Sequence, residues 1–338
     1  MCYPANSSTK VGLRSTESIM AFYPDKPYNN LPSLPPGTEI ESKKILRKTT
    51  LAARALCELK SAAAAIPNQG ILVGTIPMLE AQVSSEIENI VTTSDLLFQL
   101  AADDSAEADA ATREAYRYGV ALREGFLALG SRPFCMGTAI AVCQTIRNAE
   151  VRIRTMPWTK VVDSVTRRSI YTPPDDASKL HLLIRNWETY ANERDEIDPL
   201  IKMAVLHYQF EAIHPFTDGN GRTGRILNIL YLIQQGLLDV PVLYLSRYIL
   251  EHRTEYYSLL RAVTEDGAWE PWVHYVLDAV EQTAHWTTER IVAIQSLMTE
   301  TRVRIKQELP SAYSHELLDL LFTWPYVRIK HLVESGIV

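Results

Sequence analysis

Paired cysteines are missing from this sequence. Its four cysteines, Cys2, Cys57, Cys135 and Cys143, show no CxxC spacing of a zinc site, and a chain of 338 residues needs no disulfide staple to hold a core. They read as reduced thiols, which points to a cytoplasmic protein. An excess of positive charge is missing too. The 34 Lys and Arg stand against 40 Asp and Glu, a formal net charge of −6, so no overall field supports sequence-independent binding to nucleic acid. No basic segment followed by an apolar run opens the chain. Its most apolar stretch, 226–245, is broken by Gln234, Gln235 and Asp239, so neither an export signal nor a membrane span is expected. No internal repeat with a solenoid's period occurs, and no GxxxxGK[ST] phosphate loop.

Apolar residues are plentiful, at 46%, enough for two or three packed units. Residues 1–38 are polar and proline-rich, ending in Leu31-Pro-Ser-Leu-Pro-Pro36, and predict an arm that runs extended over a neighbouring surface. From about Ser42, apolar residues recur every three or four positions. This predicts helices over 48–65, 84–101, 112–129, 179–192, 197–213, 223–235, 252–264 and 269–299, punctuated by Gly130, Pro133, Gly236 and Pro241. The fold class is therefore mainly α. One β-like exception, 159–171, carries Val161, Val162, Val165, Ile170 and Tyr171 around a polar turn and predicts a short hairpin. The last part, 313–338, reads as a helix, a Trp-Pro break and a second short helix over 329–334.

Between two of these helices lies His214-Pro-Phe-Thr-Asp-Gly-Asn-Gly-Arg-Thr-Gly-Arg225. Helix, glycine-rich loop, helix is an anion-binding arrangement. Gly219, Gly221 and Gly224 let successive N–H groups converge, Asn220 tolerates a left-handed backbone, and the next helix offers its unpaired N–H groups. Arg222 and Arg225 share nearly one face of the first turn, where guanidinium groups can fork onto phosphate oxygens. Asp218 is a hard oxygen ligand of the kind Mg²⁺ takes singly, completing its shell from phosphates and water. His214, with an ordinary pKa near ~6.5, can accept a proton from a hydroxyl. Asp-Gly and Asn-Gly are common turn dipeptides, but a turn needs neither the histidine nor the arginines. These residues point to histidine-assisted nucleotide or phosphate chemistry.

The segment resembles the Fic family signature HxFx[DE]GNGRxxR, met at His214, Phe216, Asp218, Gly219, Asn220, Gly221, Arg222 and Arg225. The resemblance implies transfer of AMP from ATP to a Ser, Thr or Tyr hydroxyl of a protein target, or of the chain itself. It implies His214 as base, Asp218 as Mg²⁺ ligand, Phe216 as a buried anchor and Asn220 with the glycine amides as an anion hole. Arg222 and Arg225 would clamp the β- and γ-phosphates, with Thr223 and Gly224 in the same ATP-binding turn. Removal of AMP, transfer of another phosphate-linked group, or a nucleotide-sensing transcriptional or interaction module remain alternatives.

A second segment, Ser84-Ser-Glu-Ile-Glu-Asn89, is placed at the start of the helix running to Ala101, where Ser85 and Glu88 have the spacing of a capping box. Beside the first motif it also resembles the family's N-terminal inhibitory signature [ST]xxxE[GN] through Ser84, Glu88 and Asn89. That implies Glu88 paired with Arg225, so that ATP binds unproductively; Glu86 lies on another helical face. Relatives place aromatic contacts to adenine where Tyr256 and Tyr257 stand, with Tyr257 preferred. They also place a target-docking flap at the predicted hairpin, with Ile170, Tyr171 and Thr172 as its edge. His207 and Glu211 read as structural polar residues.

The resemblance implies a Fic-fold helical bundle in three parts. An arm and helical domain at 1–114 carries the inhibitory segment, 115–275 is the catalytic core, and 276–338 is a helical extension resembling the start of a winged helix. A homodimer is a further implication, and DNA binding is not supported.

Overall fold

Ser42 opens the first helix, its Oγ accepting from Ile45 N at 3.3 Å. In the computed structural model, residues 22–103, 107–155, 159–162, 168–323 and 326–337 are described. Residues 1–21 of the expected arm, 163–167 of the expected hairpin with Val165, and Trp324-Pro325 lie outside them. The described residues form thirteen α-helices and one two-stranded sheet, and none of the helices is long and apolar enough to cross a membrane.

Helix α1 (Lys43–Ala64) buries the stripe Ile45, Ala52, Leu56, Leu59 and Ala63. Helix α2 (Gly70–Ile87) corrects the reading of 84–101 as one helix. Segment 84–89 ends α2 instead of opening the next helix, and α3 (Ser94–Ala102) starts separately at Thr93, whose Oγ1 accepts from Leu96 N. The reason is physical. Ile71, Leu72, Ile76, Ala81, Val83 and Ile87 bury α2 on most sides, so no polar face marks a helical period, and Pro77 sits inside it.

Helices α4 (Ala110–Ala128) and α5 (Met136–Arg147) pack on each other, and α4 packs on α2 as well. Strand β1 (Val161–Val162) pairs antiparallel with β2 (Ser169–Tyr171), Val161 facing Tyr171. Then follow α6 (Ala177–Asn192), α7 (Pro199–Ile213) and α8 (Asn220–Gln234). Asp198 caps α7 by accepting from Leu200 N at 2.8 Å, with Pro199 in the first turn, where its missing N–H costs nothing. Thirteen residues of α7 are buried, and both Trp187 and Trp272 donate their indole N–H to its carbonyls, Leu206 O and Ala204 O.

Short α9 (Leu245–Glu251) and α10 (Arg253–Asp266) lead into α11 (Trp269–Glu308), which runs along α1. Helices α12 (His315–Thr323) and α13 (Ile329–Glu334) close the chain, α12 against α2. The boundaries expected at 114/115 and 275/276 fall inside α4 and α11, and one core cluster extends from Leu31 to Met298, so the three parts share elements. Residues 31–34 are docked on the core. Asn186 holds both Leu34 N and Leu34 O, Gln209 donates to Pro32 O, and Leu31 is fully buried.

Candidate active site

Helix α7 stops because His214 turns left-handed, at φ 50° and ψ 61°. Its Nδ1 lies 3.3 Å from Glu211 O; with the proton on Nδ1 that bond is made and Nε2 is left as the acceptor. Burial, more than any neighbour, lowers the His214 pKa to about 4, Arg154 adding to this while Glu88 and Asp218 oppose it. The imidazole is therefore neutral across the physiological range. Phe216 is buried, and its N–H and C=O are both taken by the Asn220 amide, at 2.9 and 2.8 Å. The Asn220 side-chain oxygen and one of its two amide hydrogens close the loop, so the second amide hydrogen and the backbone N–H, with those of the first turn of α8, remain for an anion. Helix α8 begins at Asn220, three residues earlier than the pattern predicted, because Gly219 supplies the φ of 84° its start requires.

Arg225 is 1% exposed and spans to α2. Its Nε donates to Ser84 Oγ at 2.8 Å and its Nη2 to Ser84 O and Glu88 Oε1, each at 2.9 Å. The end of α2 explains why Asn follows Glu88. Ile90 N bonds Ser85 O and Asn89 N bonds Glu86 O, a Schellman turn whose left-handed position is Asn89 at φ 61°. Glu88 is the last residue before that turn, with its carboxylate over Gly221. A Cβ there would stand 2.4 Å from Glu88 Oε1.

Arg222 is brought elsewhere than expected. It is 2% exposed, and its Nη1 donates to Glu114 Oε1 at 2.7 Å, facing α4 and away from the cleft that Arg225 lines. Thr223 is fully buried and Gly224 packs under Phe210 and Glu211, so neither faces that cleft. Asp218 accepts from Gly219 N through Oδ1 and pairs with Arg147 through Oδ2.

The cleft is open to solvent and encloses a cavity of about 140 Å³. His214, Glu88, Arg225, Tyr256 and Tyr257 all line it. Tyr256 is buried and bonded to His207 Nε2 at 2.9 Å, whereas Tyr257 presents a half-buried ring, packed edge-on against Tyr256. Glu211 lines it as well, its pKa pushed up to about 7 by burial against the pull of Arg225.

Ile170 and Tyr171 form the wall opposite, and Tyr171 donates to Ala212 O at 2.8 Å. Thr172 does not stand as a free edge. It is 1% exposed, its carbonyl accepts from Tyr28 N at 2.9 Å and its hydroxyl donates to Pro24 O, so the arm already lies along it. Phe22 stacks on Tyr171 from the same arm and reaches the cleft.

Four residues around the site were not read from the sequence. Glu114 and Arg147 partner Arg222 and Asp218, Arg154 holds the His214 turn, and Glu80, fully buried, takes bonds from Tyr118, Ser246 N and Ser246 Oγ. A charged residue inside an apolar segment, as Glu80 is within 70–87, was the available clue.

Comparison with known proteins follows this geometry. The model described as Fic/DOC family N-terminal matches residues 46–127, that of the Fic/DOC family matches 141–232, and that of the protein adenylyltransferase SoFic-like C-terminal domain matches 297–338. The protein adenylyltransferase Fic of Aedes aegypti is 31% identical over 123 residues, 35% of this chain and 23% of that protein. Its counterpart in Drosophila willistoni is 26% identical over 152 residues, 44% of this chain and 29% of that protein. The chain thus spans about a quarter of the length of these curated relatives. A solved Fic family protein from Desulfovibrio desulfuricans G20 superposes with a TM-score of 0.61 at 20% identity, over 76% of this chain and 77% of that one. Fic-1 from C. elegans does so at 0.52 and 19%, over 75% and 74%. Both show the helical fold.

Proposed function

Because this chain belongs to the Fic/DOC family, whose two models together match more than half of it, we propose that it transfers AMP from ATP to a hydroxyl of a protein target and is held low at rest by Glu88. The observation that carries this reading is the triangle in one cleft of a neutral His214, a buried Arg225 and the Glu88 carboxylate on that arginine.

Each part has a task. The target hydroxyl attacks the α-phosphorus, its proton passes to His214 Nε2, the new O–P bond forms and the bond to the β-phosphate oxygen breaks, releasing pyrophosphate. Charge neutralisation and positioning carry most of such a reaction. Arg225 is the cleft-facing guanidinium suited to the terminal phosphate. The N–H groups of the first turn of α8 suit the anion, and Tyr257 offers a ring to the base. Asp218 fits Mg²⁺. It is a half-exposed carboxylate with one oxygen fixed by Gly219 N and the other on a part-exposed arginine, and Mg²⁺ bound there with phosphate oxygens supplies charge neutralisation. While Glu88 occupies Arg225, the terminal phosphate has no place at that guanidinium.

Ile170 and Tyr171 suit the flap wall against which a target segment aligns, including a segment of a second copy in a homodimer. The unpaired thiols suit the cytoplasm. The deciding experiment incubates wild type, Glu88→Gly and His214→Ala with Mg²⁺ and ATP labelled at the α- or γ-phosphate. Protein-bound label from α alone, increased in Glu88→Gly and lost in His214→Ala, is expected. Retained γ-label would mean phosphorylation, and intact ATP binding with no label a nucleotide sensor; both overturn the reading.

A further inference from the structure

Arg154 is 5% exposed, and among the described residues no carboxylate lies within ion-pair distance of it. Its donors go to backbone carbonyls. Nε donates to His214 O at 2.7 Å, and Nη2 donates to Ile213 O at 3.1 Å and to Pro174 O, while the Arg154 N–H donates to Pro215 O at 2.9 Å. Three consecutive carbonyls at the end of α7 thus converge on one residue. The last carbonyls of a helix have no partner within it, and a cation there also meets the negative end of the helix dipole.

The convergence depends on the left-handed turn at His214, since an unbroken helix would direct the carbonyls of Ile213 and His214 along its own axis. The fourth acceptor, Pro174 O, lies just beyond β2. One guanidinium therefore touches both the backbone of the proposed base and the foot of the proposed flap.

We propose that Arg154 is a positioning residue: its guanidinium fixes the turn that aims the His214 imidazole and ties that turn to the flap, so base and target strand keep one spacing. This rests on the reading of His214 as base. Other groups around the imidazole are Glu88 from α2, Asp218 from the loop, Glu211 one turn earlier on α7, Arg225 from α8 and Tyr171 from β2. Burial is the main cause of the low His214 pKa, with Arg154 lowering it further, so loss of that charge moves the titration upward.

The test places Arg154→Lys and Arg154→Gln in the Glu88→Gly protein. It measures ATP affinity by calorimetry, target kcat and KM, and the His214 titration by NMR of ¹⁵N-histidine-labelled protein, the signal assigned by its loss in His214→Ala. Expected are ATP affinity within about twofold, kcat down about 100-fold in Arg154→Gln and about tenfold in Arg154→Lys, and a His214 titration raised in Arg154→Gln but not in Arg154→Lys. An unchanged kcat together with an unchanged His214 signal in both variants overturns the proposal. If Arg154→Gln does not fold, Arg154→Lys decides through kcat. If the Glu88→Gly protein transfers no AMP, the reading of His214 as base fails, and the His214 spectrum alone decides whether Arg154 sets its position.

Discussion

Glu88 and Arg225 are 137 positions apart in the sequence and 2.9 Å apart in the fold, on the last residue of one helix end and in the second turn of another. The pair is asymmetric. Arg225 is buried and held twice more by Ser84, whereas the Glu88 side chain is 35% exposed. Removing Glu88 thus leaves the guanidinium in place but free on the side facing the cleft. Glu88→Gly should raise AMP incorporation at least about tenfold, the factor for ~1.4 kcal/mol, with ATP affinity little changed. Incorporation from α-labelled ATP, at equal or lower level than wild type, would count against the latch.

Gly221 lies under that carboxylate. An added Cβ would meet Glu88 Oε1 at 2.4 Å and Arg225 Nη1 at 3.1 Å. Gly221→Ala should cost the wild type about 1 kcal/mol more stability than it costs the Glu88→Gly protein, where the closer contact is gone. Denaturant unfolding of the four proteins in the cycle measures the difference. Equal losses in both backgrounds would show that Glu88 does not press on Gly221.

On the proposed mechanism, His214 sets the acid limb of the rate. With its pKa lowered to about 4 by burial, the base-competent neutral form persists well below the ordinary histidine range, so kcat of Glu88→Gly should stay level from pH 8 to about 5 and fall only as pH approaches 4. Glu211, pushed up to about 7, gains its charge as pH rises through that region. Any inflection near neutrality belongs to it and should vanish in Glu211→Gln. A limb near 6.5 that survives Glu211→Gln would contradict the lowered His214 pKa.

If Asp218 is the Mg²⁺ ligand proposed above, Arg147 would compete with the cation for it. Its guanidinium pairs with Asp218 Oδ2 and reaches Glu114 at 3.7 Å, and both members of the first pair are more than a third exposed. Arg147→Ala should tighten divalent-cation binding in the presence of nucleotide several-fold, by removing the resident positive charge. Titration with Mn²⁺ by electron paramagnetic resonance reads this directly, and unchanged affinity would show that Asp218 is free to take metal with Arg147 in place.

Legibility in the sequence followed the physics of each element. Helices α1, α4 and α6 face solvent on one side, and their apolar spacing marked them. The loop at 214–225 was legible because its glycines and charges are unusual together. Helix α2 was invisible because it is apolar on most sides and carries Pro77; that error moved Glu88 from the end of one helix to the start of another, without changing its partner. Helices α5 and α9, short and mostly apolar, went unseen as well. The direction of Arg222 could not be read, since it depends on Glu114, 108 positions earlier. That the Asn220 side chain also braces the loop, through Phe216 N and Phe216 O, could not be read from local sequence. The arm was expected to lie over a neighbouring surface, but that this surface includes Thr172 follows from the fold alone.

The anchoring of α2 sets how far a disturbance at its end can travel. Glu80 fastens the helix to Ser246 and Tyr118, and Ser84 fastens it to Arg225, while past Glu88 the backbone reverses at Asn89, whose side chain meets Arg253, and continues to an exposed Val91. A rotation about the Glu88 and Asn89 dihedrals can therefore change what stands on Arg225 while α2 upstream keeps its packing. The range of motion needed is that of a single surface turn, a scale on which rearrangements run from nanoseconds to microseconds, faster than any step that would repack a helix.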